Sequence, residues 1–564
     1  MNLNAAAPYA IGLSSALALQ LWLTKVEPQL AVYLRYVLYF FIFYRVVFPM
    51  IKALYRWNFV MLKGLPGPES PSLLFGHMAM FYLSECDSLY YEWEKQFGLV
   101  YRIKSSFNEP VLILTDPKGI SHVLNNDVKF SRPESTRQVL QASAKNIGGS
   151  ESLSTPHFRK VPFRYLKPNS ANNRTYFSAT SVKELADTLF DLVDQVRESW
   201  QLELQALPSQ SGVFNVSRRI QVLTTDAVSR TGFAYSIADS SGPIPELLDR
   251  LRGLEDNLFT VLLQLIFNKL PFLVHIPNPL TKKWKNLRFE LGKIADELWE
   301  KGVVTKGYHS KLLEAVAQQE RDLAISHIVA LIFAGSETTA NVITETLQKL
   351  ALYPNVQDKL RVELSDFREK NGGHIGYEDL INASTLPYLD AVMKEALRAL
   401  ASVPQISRQA QVEDVIPLEY PIQMDGKTVT EMHVYPGQIV HMPTRDGINT
   451  SPKLWGPTAK QFIPERWLNS PLPEDAMNIR IPGHVLSFGD GPKICLGRLF
   501  ALAEMKVSSS LNGKRLTQPA PSVNEDEKEI VFHLTGPTVK ARVKGKEKEG
   551  AQLPLTVNLL PNPA

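Results

Sequence analysis

Cys495 carries the chemistry most easily read from this chain. It lies in Phe488-Gly489-Asp490-Gly491-Pro492-Lys493-Ile494-Cys495-Leu496-Gly497, and the chain has one other cysteine, Cys86. Glycines on both sides let the backbone turn tightly and approach a flat partner closely. Amide groups freed by such a loop hold a sulfur as thiolate, and the start of the apolar helical run that follows adds positive dipole character. A thiolate presented in this way suits a metal-bearing plane. Cys86, in Ser84-Glu85-Cys86-Asp87, has no metal-ligand neighbours and reads as an ordinary helix residue. Two cysteines exclude a disulfide scaffold and a four-cysteine zinc site.

Three further constellations surround this loop in the sequence. Ala334-Gly335-Ser336-Glu337-Thr338-Thr339 falls within a helical run from about 322 to 350 whose first half is apolar. An acid and two hydroxyls in a buried helix must be paired or used. Gly335 is a weak helix former and lets the helix distort, and the Thr338 hydroxyl can bond its own backbone or a water. Glu395-Ala396-Leu397-Arg398 puts opposite charges on one helix face. Phe462-Ile463-Pro464-Glu465-Arg466-Trp467 supplies another arginine downstream.

The Cys495 segment fits F-x-x-G-x-x-x-C-x-G, the haem-thiolate loop of the cytochrome P450 family, and the chain resembles that family from about residue 60 to 560. The order ExxR, PERW, cysteine loop strengthens the resemblance. It implies a mainly α fold with small β-sheets, holding haem b on Cys495, with Phe488, Gly491 and Gly497 shaping the loop. It implies that Thr338 orients the oxygen being activated and that Glu337 relays protons from solvent. It also implies that Glu395, Arg398 and Arg466 form a buried ion network behind the loop. The haem carboxylates need cations, for which Arg408 and Lys493 are candidates. The family's W-x-x-x-R arginine is missing. The nearest segment is Thr155-Pro156-His157-Phe158-Arg159-Lys160-Val161, in which Arg159 is the choice, with Arg164 close behind. Gly497 to Glu504 matches the helix backing the loop, and Arg498 and Lys506 would face an acidic electron donor. That helix loses apolar character after Val507, earlier than is usual in the family.

Around these residues the chain must supply an anchor and a globular body. The run 5–24 has no charged residue and, at about 1.5 Å per residue, spans roughly 30 Å, enough for a bilayer core. A second apolar stretch around 36–44 is bracketed by Arg35 and Arg45 and reads as a second crossing or an interfacial helix. Lys52, Arg56 and Lys63 place positive charge on the side of the body, which leaves that body cytosolic. Leu65-Pro66-Gly67-Pro68 is a stiff non-helical joint. The expected organisation is therefore an anchor over 1–60, a proline-rich hinge over 61–72, and a catalytic domain over 73–564, in the endoplasmic reticulum membrane.

The body reads as helices with short strands. Residues 100–103 and 111–114 form a strand pair about the turn at Asn108-Glu109-Pro110, Asp116-Pro117 opens a helix, and 182–200 is amphipathic. Leu258 to Leu280 is either core helix plus loop or an apolar lid. The 564 residues include 44% hydrophobic ones, enough for a large core, and a net charge of +4 gives no case for nucleic acid. No G-x-G-x-x-G precedes a helix, so electrons should come from a separate NADPH–cytochrome P450 reductase, with cytochrome b5 as a second donor. The reading is a haem-thiolate monooxygenase acting on a hydrophobic substrate, a terpenoid or other secondary metabolite or an aromatic xenobiotic. Two alternatives stand beside it: a haem-thiolate isomerase or dehydratase, and a catalytically impaired haem-binding membrane protein.

Overall fold

The computed structural model describes residues 61–83, 89–137, 178–233, 235–237, 321–468, 471–509, 516–521, 530–535, 538–546 and 549–559, with scattered positions between 32 and 55 and between 263 and 293. The run 5–24, Cys86, Arg159, Arg164 and most of 258–280 lie outside these residues.

After a short helix, Met78–Leu83, come α1 (Leu89–Phe97), β1 (Val100–Lys104) and β2 (Pro110–Leu114), and the two strands pair antiparallel as expected from the sequence. Asp116 caps α2 (Pro117–Asn125): its side chain accepts the Gly119 N–H at 2.9 Å, and Pro117 occupies the first turn, where no N–H is needed. The same carboxylate accepts the backbone N–H groups of Glu419 and Tyr420, fastening the helix start to a distant strand. After β3 (Phe130–Ser131) come α3 (Ala186–Gln205), β4 (Ser211–Asn215) and α4 (Val216–Phe233). The amphipathic run expected over 182–200 is divided at Leu185, where a short helix, Ala179–Glu184, meets α3.

The long helix α5 (Arg321–Leu352) crosses the body and is followed by α6 (Pro354–Lys370) and α7 (Pro387–Ala399). Strands β5 (Gln405–Ala410), β6 (Asp414–Met424), β7 (Lys427–Val434) and β8 (Ile439–Pro443) follow. The cysteine loop leads into α8 (Arg498–Ser509), and the chain closes with β9 (Leu516–Pro521), β10 (Ile530–Thr535), β11 (Thr538–Val543) and β12 (Pro554–Leu559). Five strands form one sheet in the order β1-β2-β8-β5-β3, in which only β2 and β8 run parallel. β4, β12 and β9 form a second sheet, and β6/β7 and β10/β11 are hairpins. One apolar core joins α3, α4, α5, α7 and α8. The described body is thus mainly helical with small sheets.

Gly335 does not distort α5, which runs unbroken through it. A Cβ there would come 2.9 Å from Cγ2 of Val228, so the glycine serves close packing of α4 on α5. The proline-rich segment lies against the sheet edge: Pro66 O accepts the Arg102 N–H at 2.9 Å, and a Cβ on Gly67 would collide with the Arg102 carbonyl at 1.9 Å. α8 ends at Ser509, and Ser508 and Ser509 are buried, so the helix stays packed despite its loss of apolar residues. Among the described residues no helix is long and apolar enough to cross a membrane. Between 32 and 55 the described positions include exposed Tyr36, Phe40, Tyr44 and Phe48, and the last three stack in succession with ring centroids 6.4 and 6.1 Å apart.

Candidate functional site

Cys495 sits at the mouth of a loop fixed at both ends. Its N–H bonds to Phe488 O at 2.8 Å, and its side chain is exposed. Gly489 and Gly491 adopt φ of +70° and +67°, which glycine takes without strain. A Cβ on Gly491 would meet Leu124 O at 2.5 Å, so this residue lets the loop lie against the end of α2. Asn125 Nδ2 donates to Asp490 Oδ2 at 3.3 Å across the same contact. Gly497 O accepts the Ala501 N–H at 2.9 Å, so α8 begins at Arg498, three residues after the cysteine, and brings its N-terminus close to it.

Behind the loop lies a dense polar network. Arg398 donates from Nε and Nη2 to the two carboxylate oxygens of Glu395, both at 2.8 Å, and both side chains are fully buried. Arg466 Nε reaches Glu395 Oε1 at 3.1 Å, and the Ile463 N–H and Trp467 Nε1 also donate to that carboxylate at 2.8 and 2.9 Å. Five donors hold the Glu395 carboxyl below its ordinary range despite burial, which alone would raise it. The guanidinium of Arg398 also lies over the Trp455 ring at 5.1 Å. Its Nη1 donates to Asn449 O at 2.9 Å, and Asn449 Oδ1 accepts the Leu486 N–H at 2.8 Å while its Nδ2 donates to Ser487 Oγ at 2.9 Å. The network thus continues through Asn449 into the segment entering the cysteine loop. Sequence reasoning missed Asn449, which sits in no motif of its own.

Beside the loop gather cations. Arg408 is buried, and its Nε has no partner among the described residues. Burial and the neighbouring Arg132 push its pKa down to about 10, with Asp127 acting against them. Lys493 is lowered for the same reasons, burial first and then the charge of Arg408, with Arg132 and Arg137 adding to it. Burial alone lowers Arg132. Like charges collected with so little counter-charge fit an anion placed among them. Arg132, in Phe130-Ser131-Arg132-Pro133, joins this cluster, whereas the segment around Arg159 is outside the described residues.

On the other side runs α5. Ala334 is exposed although its neighbours on α5 from 330 to 351 are buried or half-buried, and Thr338 Oγ1 donates to Ala334 O at 2.9 Å, one turn back. Glu337 is buried: its Oε1 accepts from Lys540 Nζ and Thr538 Oγ1, each at 2.8 Å, while Oε2 has no partner among the described residues. The acid is therefore tied to the β10/β11 hairpin instead of facing solvent directly. Lys540 gave no sequence signal, because it lies on a strand whose partner helix is far away in the chain. A second buried pair, Arg445 with Glu345 at 2.7 Å, fastens α5 below this point. Lys506 is buried and bonds Asp390 at 2.7 Å. It locks α8 to α7, and the expectation that it faces an electron donor is corrected. Arg498 remains partly exposed. Glu504 on α8 is fully enclosed beside Thr339, and burial raises its pKa well above the carboxylate range.

Comparison with known proteins bears on this arrangement. Residues 66–510 match the family profile described as Cytochrome P450. The chain is 30% identical over 522 residues to cytochrome P450 monooxygenase claW of Ampulloclitocybe clavipes, covering 87% of this chain and 92% of that one. It is 30% identical over 523 residues to cytochrome P450 monooxygenase claP of the same fungus, with the same coverage. With cytochrome P450 monooxygenase 128 of Postia placenta it shares 26% over 537 residues, covering 88% and 92%.

Proposed function

The chain belongs to the cytochrome P450 family, oxidoreductases that work as monooxygenases with a haem iron, and from that premise we propose how its own residues serve the reaction. The observation that carries the proposal is the juxtaposition of exposed Cys495 with the cluster of Arg408, Lys493 and Arg132. The cations fit the two carboxylates of haem b, and the unpartnered Nε of Arg408 is a donor available to them. Cys495 would hold the iron as thiolate, with the α8 N-terminus and the glycine-bounded loop favouring that charge. When bound, the haem supplies the activation of dioxygen and the transfer of one oxygen atom to substrate.

The protein then has three tasks. The Glu395–Arg398–Arg466 network and Asn449 keep the cysteine loop from moving. Thr338 Oγ1 holds a hydrogen on Ala334 O that can be turned to an incoming water. Glu337, steadied by Lys540 and Thr538, keeps Oε2 as an open acceptor for a proton passing along α5. An isomerase or dehydratase would need neither Thr338 nor Glu337 in these places.

Substrate and partners follow from chemistry. The reading favours a hydrophobic organic molecule, a terpenoid or related secondary metabolite or an aromatic xenobiotic, with electrons from a separate NADPH-dependent reductase and cytochrome b5 as an auxiliary donor. The uncharged run 5–24 and the exposed aromatic ladder Phe40, Tyr44 and Phe48 support attachment to the endoplasmic reticulum membrane with the body in the cytosol. The test is reconstitution. Purified protein with NADPH and oxygen should turn over nothing until a flavoprotein reductase is added; turnover without one contradicts the proposal. Removal of residues 1–60 should release the protein from microsomes into the soluble fraction.

A further inference from the structure

A polar ladder runs along α5. Glu337, Asn341 and Glu345 stand one turn apart, so they share a face of the helix, and all three are buried. Each reaches a different segment. Glu337 Oε1 accepts from Lys540 Nζ and Thr538 Oγ1 of β11, each at 2.8 Å. Asn341 Nδ2 donates to Ser402 Oγ at 3.2 Å, between α7 and β5. Glu345 pairs with Arg445, and the N–H groups of Thr444 and Arg445 bond Pro404 O at 2.7 and 3.3 Å. The segment 402–404 is thus fastened to α5 at two successive turns.

The first two rungs are also joined outside the helix. The Val539 N–H donates to Ser402 O at 3.0 Å. Val539 lies between Thr538 and Lys540, and side chains alternate along a strand, so the residues on either side of it turn together toward Glu337. The contacts close a ring: from Glu337 to β11, from Val539 to Ser402, from Ser402 to Asn341, and back along one turn of α5. Every residue in the ring is buried. A closed set of hydrogen bonds in such a place resists displacement of any one member.

The ring governs how Glu337 is presented. Both donors from β11 fall on Oε1, and Oε2 has no partner among the described residues. Turning the carboxylate would give up two contacts at once, so Oε2 keeps one direction. The place of those donors depends on the strand that carries them. That strand is held through Val539 by Ser402, and Ser402 is held by Asn341. Ser402 follows α7, which carries Glu395 and Arg398, so the ring is tied to the scaffold behind the cysteine loop. Resting on the proton-relay reading of Glu337 above, we propose that Asn341 and Ser402 are positioning residues of the monooxygenase reaction: they act through Glu337, by holding the two donors that aim its Oε2. A reacting group keeps its geometry within about 0.5 Å only with outer support of this kind.

The experiment follows the fate of oxygen. The haem-loaded full chain is given a flavoprotein reductase and NADPH, with no organic substrate. Dioxygen then leaves as hydrogen peroxide, taking two electrons and two protons, or as two molecules of water, taking four of each with cleavage of the O–O bond. NADPH supplies the electrons and solvent the protons. On the relay reading, protons delivered through Glu337 favour water. The split is read per oxygen consumed, so a loss of folded or haem-loaded protein does not move it. Water's share should fall about three- to tenfold in Asn341→Ala and in Ser402→Ala, the range of one neutral hydrogen bond. Ser402→Thr, which keeps the hydroxyl, should retain most of the wild-type share. Tyr420→Phe, which removes a hydrogen bond to Asp475 outside the ring, should retain all of it. Deuterium exchange of the Val539 amide, measured without NADPH, should quicken about two- to tenfold in both alanine variants. A wild-type share in both alanine variants overturns the proposal, as does an unquickened Val539 amide or an equal fall in Tyr420→Phe. Glu337→Gln separates the two readings. If it lowers water's share and the alanine variants do not, the positioning role alone fails; if it leaves the share unchanged, the relay reading fails and the proposal falls with it.

Discussion

The two sides of the cysteine loop treat buried acids in opposite ways. Behind the loop, Glu395 receives five hydrogen bonds and is held below its ordinary pKa, while on α8 Glu504 is fully buried beside Thr339 and burial raises it well above that value. On α5, Glu337 is half satisfied, one oxygen doubly bonded and the other open. Saturated groups make a scaffold, because every partner resists displacement. An open valence beside the chamber is where a proton, water or substrate can enter the network. Stability should therefore depend on the scaffold behind the loop, and rate on the α5 side.

The largest test of that division is Arg398→Ala. It strands the Glu395 carboxylate and three backbone carbonyls, and should lower stability by about 3–5 kcal/mol in urea unfolding. The pH dependence has a defined sign. Because the folded pKa of Glu395 is lowered, its contribution is present above the ordinary value of 4.5 and is lost as pH falls through the folded value. The wild type should lose stability below pH 4.5 more steeply than the Arg398→Ala variant.

Thr338→Ala should show the reverse pattern. Among the described residues its hydroxyl hydrogen-bonds Ala334 O, a backbone group of its own helix, so unfolding should shift by no more than about 0.5 kcal/mol. Product formation with a reductase should fall about a hundredfold, the low end for a removed proton-transfer group. A variant that lost stability and kept its rate would break the comparison.

Gly491→Ala lies between the two. The alanine must hold φ of +67° with its Cβ against Leu124 O, so about 1–2 kcal/mol of stability should be lost, together with haem retention on dialysis. The smallest effect is expected from Glu504→Gln. A neutral amide replaces an acid whose protonated form burial favours, so unfolding below pH 4.5, where both folded and unfolded acids are protonated, should change by less than about 1 kcal/mol. Since burial raises the folded pKa of Glu504, its contribution is full below 4.5 and is lost as pH rises toward the folded value, so the glutamine variant should gain on the wild type as pH rises above 4.5. Glu395→Gln, the same exchange on the saturated acid, should destabilise throughout that range.

The same division governs what the sequence displays. Cys495, Gly491, Glu395, Arg398 and Arg466 stand in short runs whose spacing is fixed by one helix or one loop, so their association is legible along the chain. The strand pair 100–114 and the Asp116 cap are legible for the same reason. Asn449, Lys540 and Asn341 work through partners in distant segments: Asn449 bonds Leu486 and Ser487, Lys540 bonds Glu337, and Asn341 bonds Ser402. Local pattern carries no record of such pairs. Gly335 shows a different gap, since its type suggested a distorted helix while the structure uses its missing side chain to seat Val228.

Everything on both sides is arranged about one sulfur, so the most direct measurement is the ferrous–carbon monoxide difference spectrum of Cys495→Ser beside the wild type in microsomes. The wild type should show the thiolate-type band. The serine variant should lose it along with hydroxylase turnover, even where haem is still retained by Arg408, Lys493 and Arg132. An unchanged band and full turnover in the variant would contradict the account.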